Sequence, residues 1–156
     1  MVKKMILNPE NIKVFKNYTL FHYLHGRCHL FAMAYKEYNP DSEINALFGV
    51  TEDEEGTEII HIEHVFIKLK KDKFLDASGR LKSLEEIENE YGYNSFETFF
   101  GNEESYKEWF GYNLKNKYIF DFDKNEKNEL IKFFSKNNYF KKNKLEILKN
   151  MLTNKI

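Results

Sequence analysis

The spacing of apolar positions changes from segment to segment along this chain, and each change marks an element. Pro9-Glu10-Asn11 opens a short helical stretch with Ile12 and Phe15 on one side, because the missing proline N–H is not needed in a first turn. A loop containing Tyr23 to Gly26 follows. Cys28, Phe31, Ala32 and Tyr35 then recur at three- and four-residue steps, which predicts a helix that starts at Cys28, buries one face and ends before Asn39-Pro40. Ile44 to Val50 reads as a strand, Thr51 to Gly56 as a solvated acidic turn, and Ile59 to Leu69 as a long strand apolar on both faces. Phe74 to Ala77 returns as a short strand through the polar stretch Lys70 to Lys73, making an antiparallel hairpin that Ser78-Gly79 terminates.

Beyond residue 80 the period becomes helical. Ser83-Leu84-Glu85-Glu86 resembles a capping box, in which serine and glutamate each satisfy a backbone N–H of the first turn, and it opens a helix to Tyr91. Glu103 to Phe110 predicts another. In the last third, Leu130, Phe133 and Phe134 and then Leu145, Leu148 and Leu152 predict two amphipathic helices. The expected architecture is α+β: a Cys-bearing N-terminal helix on a small antiparallel sheet, with a helical C-terminal half covering it. One domain over residues 1–156 is expected, with a motif core at 26–80.

Composition narrows the function classes. Lys and Arg total 24 against 25 Asp and Glu, so no global charge steers the chain to nucleic acid or an anionic membrane. No window approaches the ~20 apolar residues of a membrane span, and the Met5-Ile6-Leu7 run stops at Asn8-Pro9, short of an export signal. A single cysteine excludes an internal disulfide framework and fits a cytoplasmic setting. Nine lysines against three glutamates in 124–156 read as the solvated faces of amphipathic helices, so nucleic acid is not an expected partner.

The candidate chemistry lies in two segments, Gly26 to Ala34 and His64 to Gly79. A helix N-terminus lowers a thiol pKa below its usual ~8.5, because the positive end of the helix dipole favours the thiolate. Cys28 has that position. A base must come from elsewhere in the chain, and the long strand offers His61 and His64, which alternate to opposite faces if the strand is regular. Asp76 on the return strand is the candidate acceptor to orient the imidazole. A three-residue loop at Lys70-Lys71-Asp72 pairs Leu69 with Lys73 and sets His64 diagonal to Asp76 on one face. A two-residue loop at Lys71-Asp72 instead pairs Ile67 with Asp76, and without a bulge puts the carboxylate on the other face.

The order Gly-x-Cys-x-x-Phe-Ala, His-x-Phe-Ile and Phe-Leu-Asp-Ala, over roughly Gly26 to Arg80, resembles the papain-like cysteine hydrolases in their transglutaminase-like arrangement. It is also similar to small phage and bacterial proteins. The resemblance implies a nucleophile at Cys28, a general base at His64 rather than His61, and an orienting acid at Asp76. One departure is that the glutamine such proteases place before the cysteine is missing, since the chain contains no Gln. An oxyanion hole would then use the backbone N–H groups of Cys28 and His29, with Asn17, Tyr18 or Tyr23 beside them. The only arginines, Arg27 and Arg80, border the two segments. Together with His29 and Tyr23 they are the candidate substrate-binding residues.

The expected function is thiol chemistry on an amide or ester of a protein or small molecule, by hydrolysis or acyl transfer, with no cofactor. The alternative is a binding or inhibitor protein that keeps the fold and sequesters a partner. A zinc site could be drawn from His22, His25, Cys28 and His29 with His64, but the spacing matches no finger, and no metal is expected. Glu85-Glu86 and Glu103-Glu104 read as first-turn helix charges.

Overall fold

The computed structural model describes residues 8–112 and 123–142. The chain folds as α+β, as the spacing predicts. A five-stranded antiparallel sheet is formed by β3 (Glu43–Glu52), β4 (Glu58–Lys68), β5 (Phe74–Leu75), β6 (Leu81–Lys82) and β7 (Glu97–Gly101), in the order β6-β5-β4-β3-β7. A small two-stranded sheet, β1 (Lys13–Phe15) with β2 (Tyr18–Thr19), precedes it. The helices are α1 (Leu20–Leu24), α2 (Cys28–Tyr38), α3 (Leu84–Tyr91), α4 (Glu103–Tyr112) and α5 (Lys124–Lys136). No described helix is long and apolar enough to cross a membrane.

Apolar side chains leave the two sheet faces in separate clusters. On one face Ala46, Phe48, Val65 and Ile67 pack with Phe31 and Tyr35 of α2, Tyr106 of α4 and Leu130 and Phe134 of α5. The Phe134 ring lies 5.0 Å from both Phe31 and Tyr35. Fully burying one such side chain stabilises the fold by roughly 1.5–3 kcal/mol. On the other face Leu47, Phe66, Phe74 and Ile87 form a smaller cluster under α3, whose start Ser83 caps by accepting from Glu86 N–H at 3.2 Å. Cover on both sides explains why β3 is buried at nearly every position while β4 becomes so only toward its end.

Three local expectations change. The stretch from Pro9 is a single 3-10 turn, and Phe15 belongs to a strand. Tyr23 lies in a helix, not a loop: α1 is only five residues long, too short for a periodic signal. The helical region after residue 80 is interrupted by β6 and β7, the latter recruited to the edge of β3, where Phe99 stacks on Phe48 at 5.1 Å. The second amphipathic helix, expected around Leu145, Leu148 and Leu152, and the Met5-Ile6-Leu7 run lie outside the described residues.

Candidate active site around Cys28

Cys28 is the first residue of α2, and its neighbours fix where that helix starts. Gly26 turns the chain out of α1 at φ +100°, a left-handed conformation that favours glycine. Arg27 follows as the N-cap, and its side chain is held by two partners. Its guanidinium forms an ion pair with Glu126, with Nε 3.2 Å from Oε2, and lies 4.1 Å from the Tyr18 ring centre. Tyr23 donates its phenol proton to the same Glu126 oxygen at 3.0 Å. Glu126 is buried in the first turn of α5, where a carboxylate is favoured by the helix dipole. A partner 99 residues away thus anchors the residue before the thiol.

The short β5 shapes the other side of the sulfur. It meets β4 only at Ile67 and Lys68, so among the described residues no strand covers that edge of β4 before Ile67. A strand edge left this way exposes backbone donors that need partners. The Val65 N–H supplies one of them to Cys28, donating to Sγ at 3.4 Å.

The hairpin takes the three-residue register. Ile67 pairs with Leu75 and Lys68 with Phe74, and Leu69 N–H donates to Lys73 C=O at 2.7 Å to close the loop. Asp72 supplies the left-handed residue, at φ 55°, that such loops need. His64 and Asp76 therefore share a face, and His64 Nε2 lies 3.0 Å from Asp76 Oδ2. With Nε2 committed to Asp76, Nδ1 is the ring nitrogen left for Cys28. It is buried and has no hydrogen-bond partner among the described residues. Tyr91 stacks flat on the imidazole, with centres 3.7 Å apart and planes at 12°.

Asp76 is held as firmly as it holds. Its Oδ1 accepts from Ser78 N–H at 2.9 Å and its Oδ2 from Lys82 Nζ at 3.0 Å. Lys82 is itself buried and reaches Glu90 at 2.5 Å. Arg80 completes the ladder at the surface, pairing with Glu86 and Glu90 at 2.9 Å each.

The electrostatics follow from these contacts. Burial alone would raise the Cys28 thiol pKa, but the His29 and His64 side chains beside it, the His64 charge and the Val65 N–H outweigh it and bring the thiol down to about 6. Burial would lower His64, yet Asp76 and Cys28 together carry it up to about 9. Asp76 would likewise be raised by burial, but His64, Lys82 and Ser78 hold it well below the usual carboxylate range. Between these limits a thiolate and an imidazolium coexist.

Cys28 opens onto a cleft of about 700 Å³. Leu30, Ile62, Val65, Tyr106, Trp109 and Phe110 give it an apolar wall, and Arg27 and His29 line it beside the sulfur. A smaller hollow of about 300 Å³ lies on the other side, also bordered by Cys28, with Tyr91 and Glu90 in its wall. Glu63 lines both.

The structure overturns one expectation about the strand. Leu47 pairs with His64 but Phe48 with Ile62, so Glu63 is an extra residue in a β-bulge. The bulge reverses parity, and His61, opposite Gly49, lies on the same face as His64. His61 does not meet Asp76: it binds Glu63 at 2.8 Å, and Ser95 also bonds Glu63. A side chain at position 49 would run into Ser95 and Glu63, so glycine there makes room for the bulge.

The remaining candidates fall in different places. His29 lines the cleft and interacts with Cys28. Arg27 lines it too, with its guanidinium engaged by Glu126. Tyr23 is fully buried, and Arg80 stands at the outer end of the ladder behind Asp76. Tyr18 lies under Arg27, and Asn17 is exposed in the β1–β2 turn. His22 caps α1 by accepting from Thr19 N–H at 2.9 Å, and His25 packs on Phe21 with centres 4.5 Å apart. Among the described residues no three His, Cys, Asp or Glu side chains are grouped to hold a metal ion. Sequence reading missed Glu126, Lys82, Tyr91 and Glu63. Only the capping box pointed toward α3, which carries Tyr91. Comparison with family models, with curated proteins and with solved structures finds no match.

Proposed function

We propose that this chain is a thiol-dependent hydrolase or acyltransferase acting on an amide or ester bond, with Cys28 as nucleophile, His64 as general base and acid, and Asp76 as the group that orients His64. The observation that carries this reading is the division of labour on one imidazole. Nε2 is bound to Asp76 at 3.0 Å, and buried Nδ1 is left without a partner beside a thiol whose pKa is brought down to about 6. A structural histidine has no need of an unpaired buried nitrogen, which costs about 1–3 kcal/mol.

In the reaction the Cys28 thiolate adds to the carbonyl carbon and the C=O π pair moves onto oxygen. Amide groups at the start of α2 stabilise that oxyanion. The intermediate then collapses, His64 gives its proton to the departing amine or alcohol, and a thioester remains on Cys28. Water or an amine, deprotonated by His64, attacks the thioester; the C–S bond breaks, the acid or new amide leaves, and the Cys28 thiolate and His64 imidazolium are restored. The apolar wall of the cleft suits an acyl group with an aliphatic or aromatic portion.

Two reagents test the reading. Iodoacetamide at pH 6 is expected to alkylate Cys28 faster than a model thiol, and p-nitrophenyl acetate to leave an acetyl group on it, detected by intact mass. Both adducts should vanish in Cys28→Ala, and acetylation should drop in His64→Ala. Alkylation no faster than the model thiol, with acetylation unchanged in His64→Ala, rejects the enzyme. The binding-protein reading has its own support in the exposed Ile59, Ile60, Tyr93 and Phe96 side chains. It gains if Cys28→Ala retains full biological activity.

A further inference from the structure

Three buried side-chain atoms have no hydrogen-bond partner among the described residues: Asn45 Nδ2, His64 Nδ1 and Tyr106 Oη. Buried polar groups are nearly always paired, so each exception asks for a cause. His64 Nδ1 has one in Cys28. Tyr106 is the second to border the same site: it lines the cleft onto which Cys28 opens, and the charge of Cys28 acts on its phenol.

From this pairing we infer that Tyr106 is a catalytic residue whose hydroxyl donates a hydrogen bond to the substrate carbonyl oxygen as Cys28 attacks. This rests on the acyl-transfer reading above and adds a side-chain donor to the backbone amides at the start of α2. Tyr23, one earlier candidate, donates its hydroxyl hydrogen bond to Glu126, and Tyr18 lies under Arg27. Tyr106 is carried by α4, its backbone N–H bonded to Asn102 C=O at 3.0 Å and its ring against Phe110 at 5.5 Å. That support fixes the phenol before substrate arrives, as a preorganised donor requires. Burial, and then the charge of Cys28, push the phenol pKa upward, so the hydroxyl keeps its proton across the working range and remains a donor. A phenylalanine would fill the same core position without burying an unpaired hydroxyl.

In the step itself the thiolate forms the S–C bond and the π pair of C=O goes to oxygen. The phenol lends a hydrogen bond without transferring its proton. Collapse returns the pair to C=O and expels the leaving group, which for p-nitrophenyl acetate is p-nitrophenolate, with acetyl left on Cys28.

Tyr106→Phe, compared with the parent protein, separates this role from a packing role. Alkylation by iodoacetamide displaces iodide at a saturated carbon and creates no oxyanion, whereas acetylation by p-nitrophenyl acetate does. The expected result is an unchanged alkylation rate, a melting temperature no lower than the parent's, and acetylation slowed by about 10- to 100-fold, toward the loss seen on deleting an oxyanion donor. Equal acetylation rates in the two proteins overturn the inference, as does an equal slowing of both reactions. If the parent protein is alkylated at Cys28 but never acetylated there, the acyl-transfer reading itself fails and takes the Tyr106 role with it.

Discussion

His64 Nε2 stands 3.0 Å from Asp76 Oδ2 because the hairpin of β4 and β5 closes at Leu69 and Lys73 with a three-residue turn between them. The two residues are diagonal neighbours, on one face only in that register. Both are buried, so the pair is shielded from water and from salt.

The first consequence is a bell-shaped pH profile for acylation of Cys28. Activity should rise through about pH 6 as the thiolate forms and fall through about pH 9 as His64 loses its proton. In Asp76→Asn the imidazolium loses its main support, so the alkaline limb moves down and the acid limb up, narrowing the bell. Rates of p-nitrophenyl ester cleavage between pH 5 and 10 check this. A bell of unchanged width in the variant contradicts it.

Folding stability carries a second signature. His64 is raised from 6.5 to about 9 in the fold, so its contribution is complete below pH 6.5 and is lost as pH rises through about 9. Cys28 is lowered from 9.0 to about 6, so its contribution is present above pH 9 and is lost as pH falls through about 6. Between pH 6.5 and 9 the two slopes oppose one another: the native pair and the unfolded pair hold the same number of protons. Urea unfolding should therefore show no pH dependence from this pair in that window. In Cys28→Ser only the His64 slope remains, and stability should decline as pH rises.

Lys82 is the positioning residue behind the pair. Its ammonium shares Asp76 Oδ2 with His64 and so competes for that carboxylate. Lys82→Met should raise the alkaline limb of the profile, because Asp76 then serves His64 alone. The same change breaks a buried ion pair, a loss of about 3–5 kcal/mol when one partner is removed. A purely structural lysine would lower stability in urea without moving the limb.

Glu126 should prove more important to the site than its distance along the chain suggests. Glu126→Ala strands the Arg27 guanidinium and the Tyr23 hydroxyl at the start of α2. About 1–3 kcal/mol of stability is expected to go, the cost of leaving the buried Tyr23 hydroxyl unpaired, since the partly exposed Arg27 keeps contact with water. Slower alkylation of Cys28 should accompany it, since Arg27 no longer fixes the first turn. Unchanged reactivity would mean that Gly26 and the rest of α2 hold Cys28 without Arg27.

The elements that bring Cys28, His64 and Asp76 together were legible in the sequence because each is a local pattern. Three- and four-residue steps mark α2, the apolar run marks β4, and Lys70 to Lys73 marks the turn. Elements too short or too irregular to show a period were not legible. These are α1 with its five residues, and β7, whose adjacent Phe99 and Phe100 belong to opposite faces.

What the sequence by itself determined is therefore the order of α2, β3, β4 and the return strand, set by backbone periodicity. The hairpin register that puts His64 and Asp76 on one face stayed open between two loop lengths until the fold decided it. Only the tertiary structure decided which groups surround them. The bulge at Glu63 depends on space above Gly49 that Ser95 shares. Arg27 is met by Glu126, His64 by Tyr91, Asp76 by Lys82, and the cleft beside Cys28 by Tyr106. These partners lie far apart in the chain or on neighbouring elements, and burial selects them: a charge or donor removed from water must find its complement wherever packing brings one within reach.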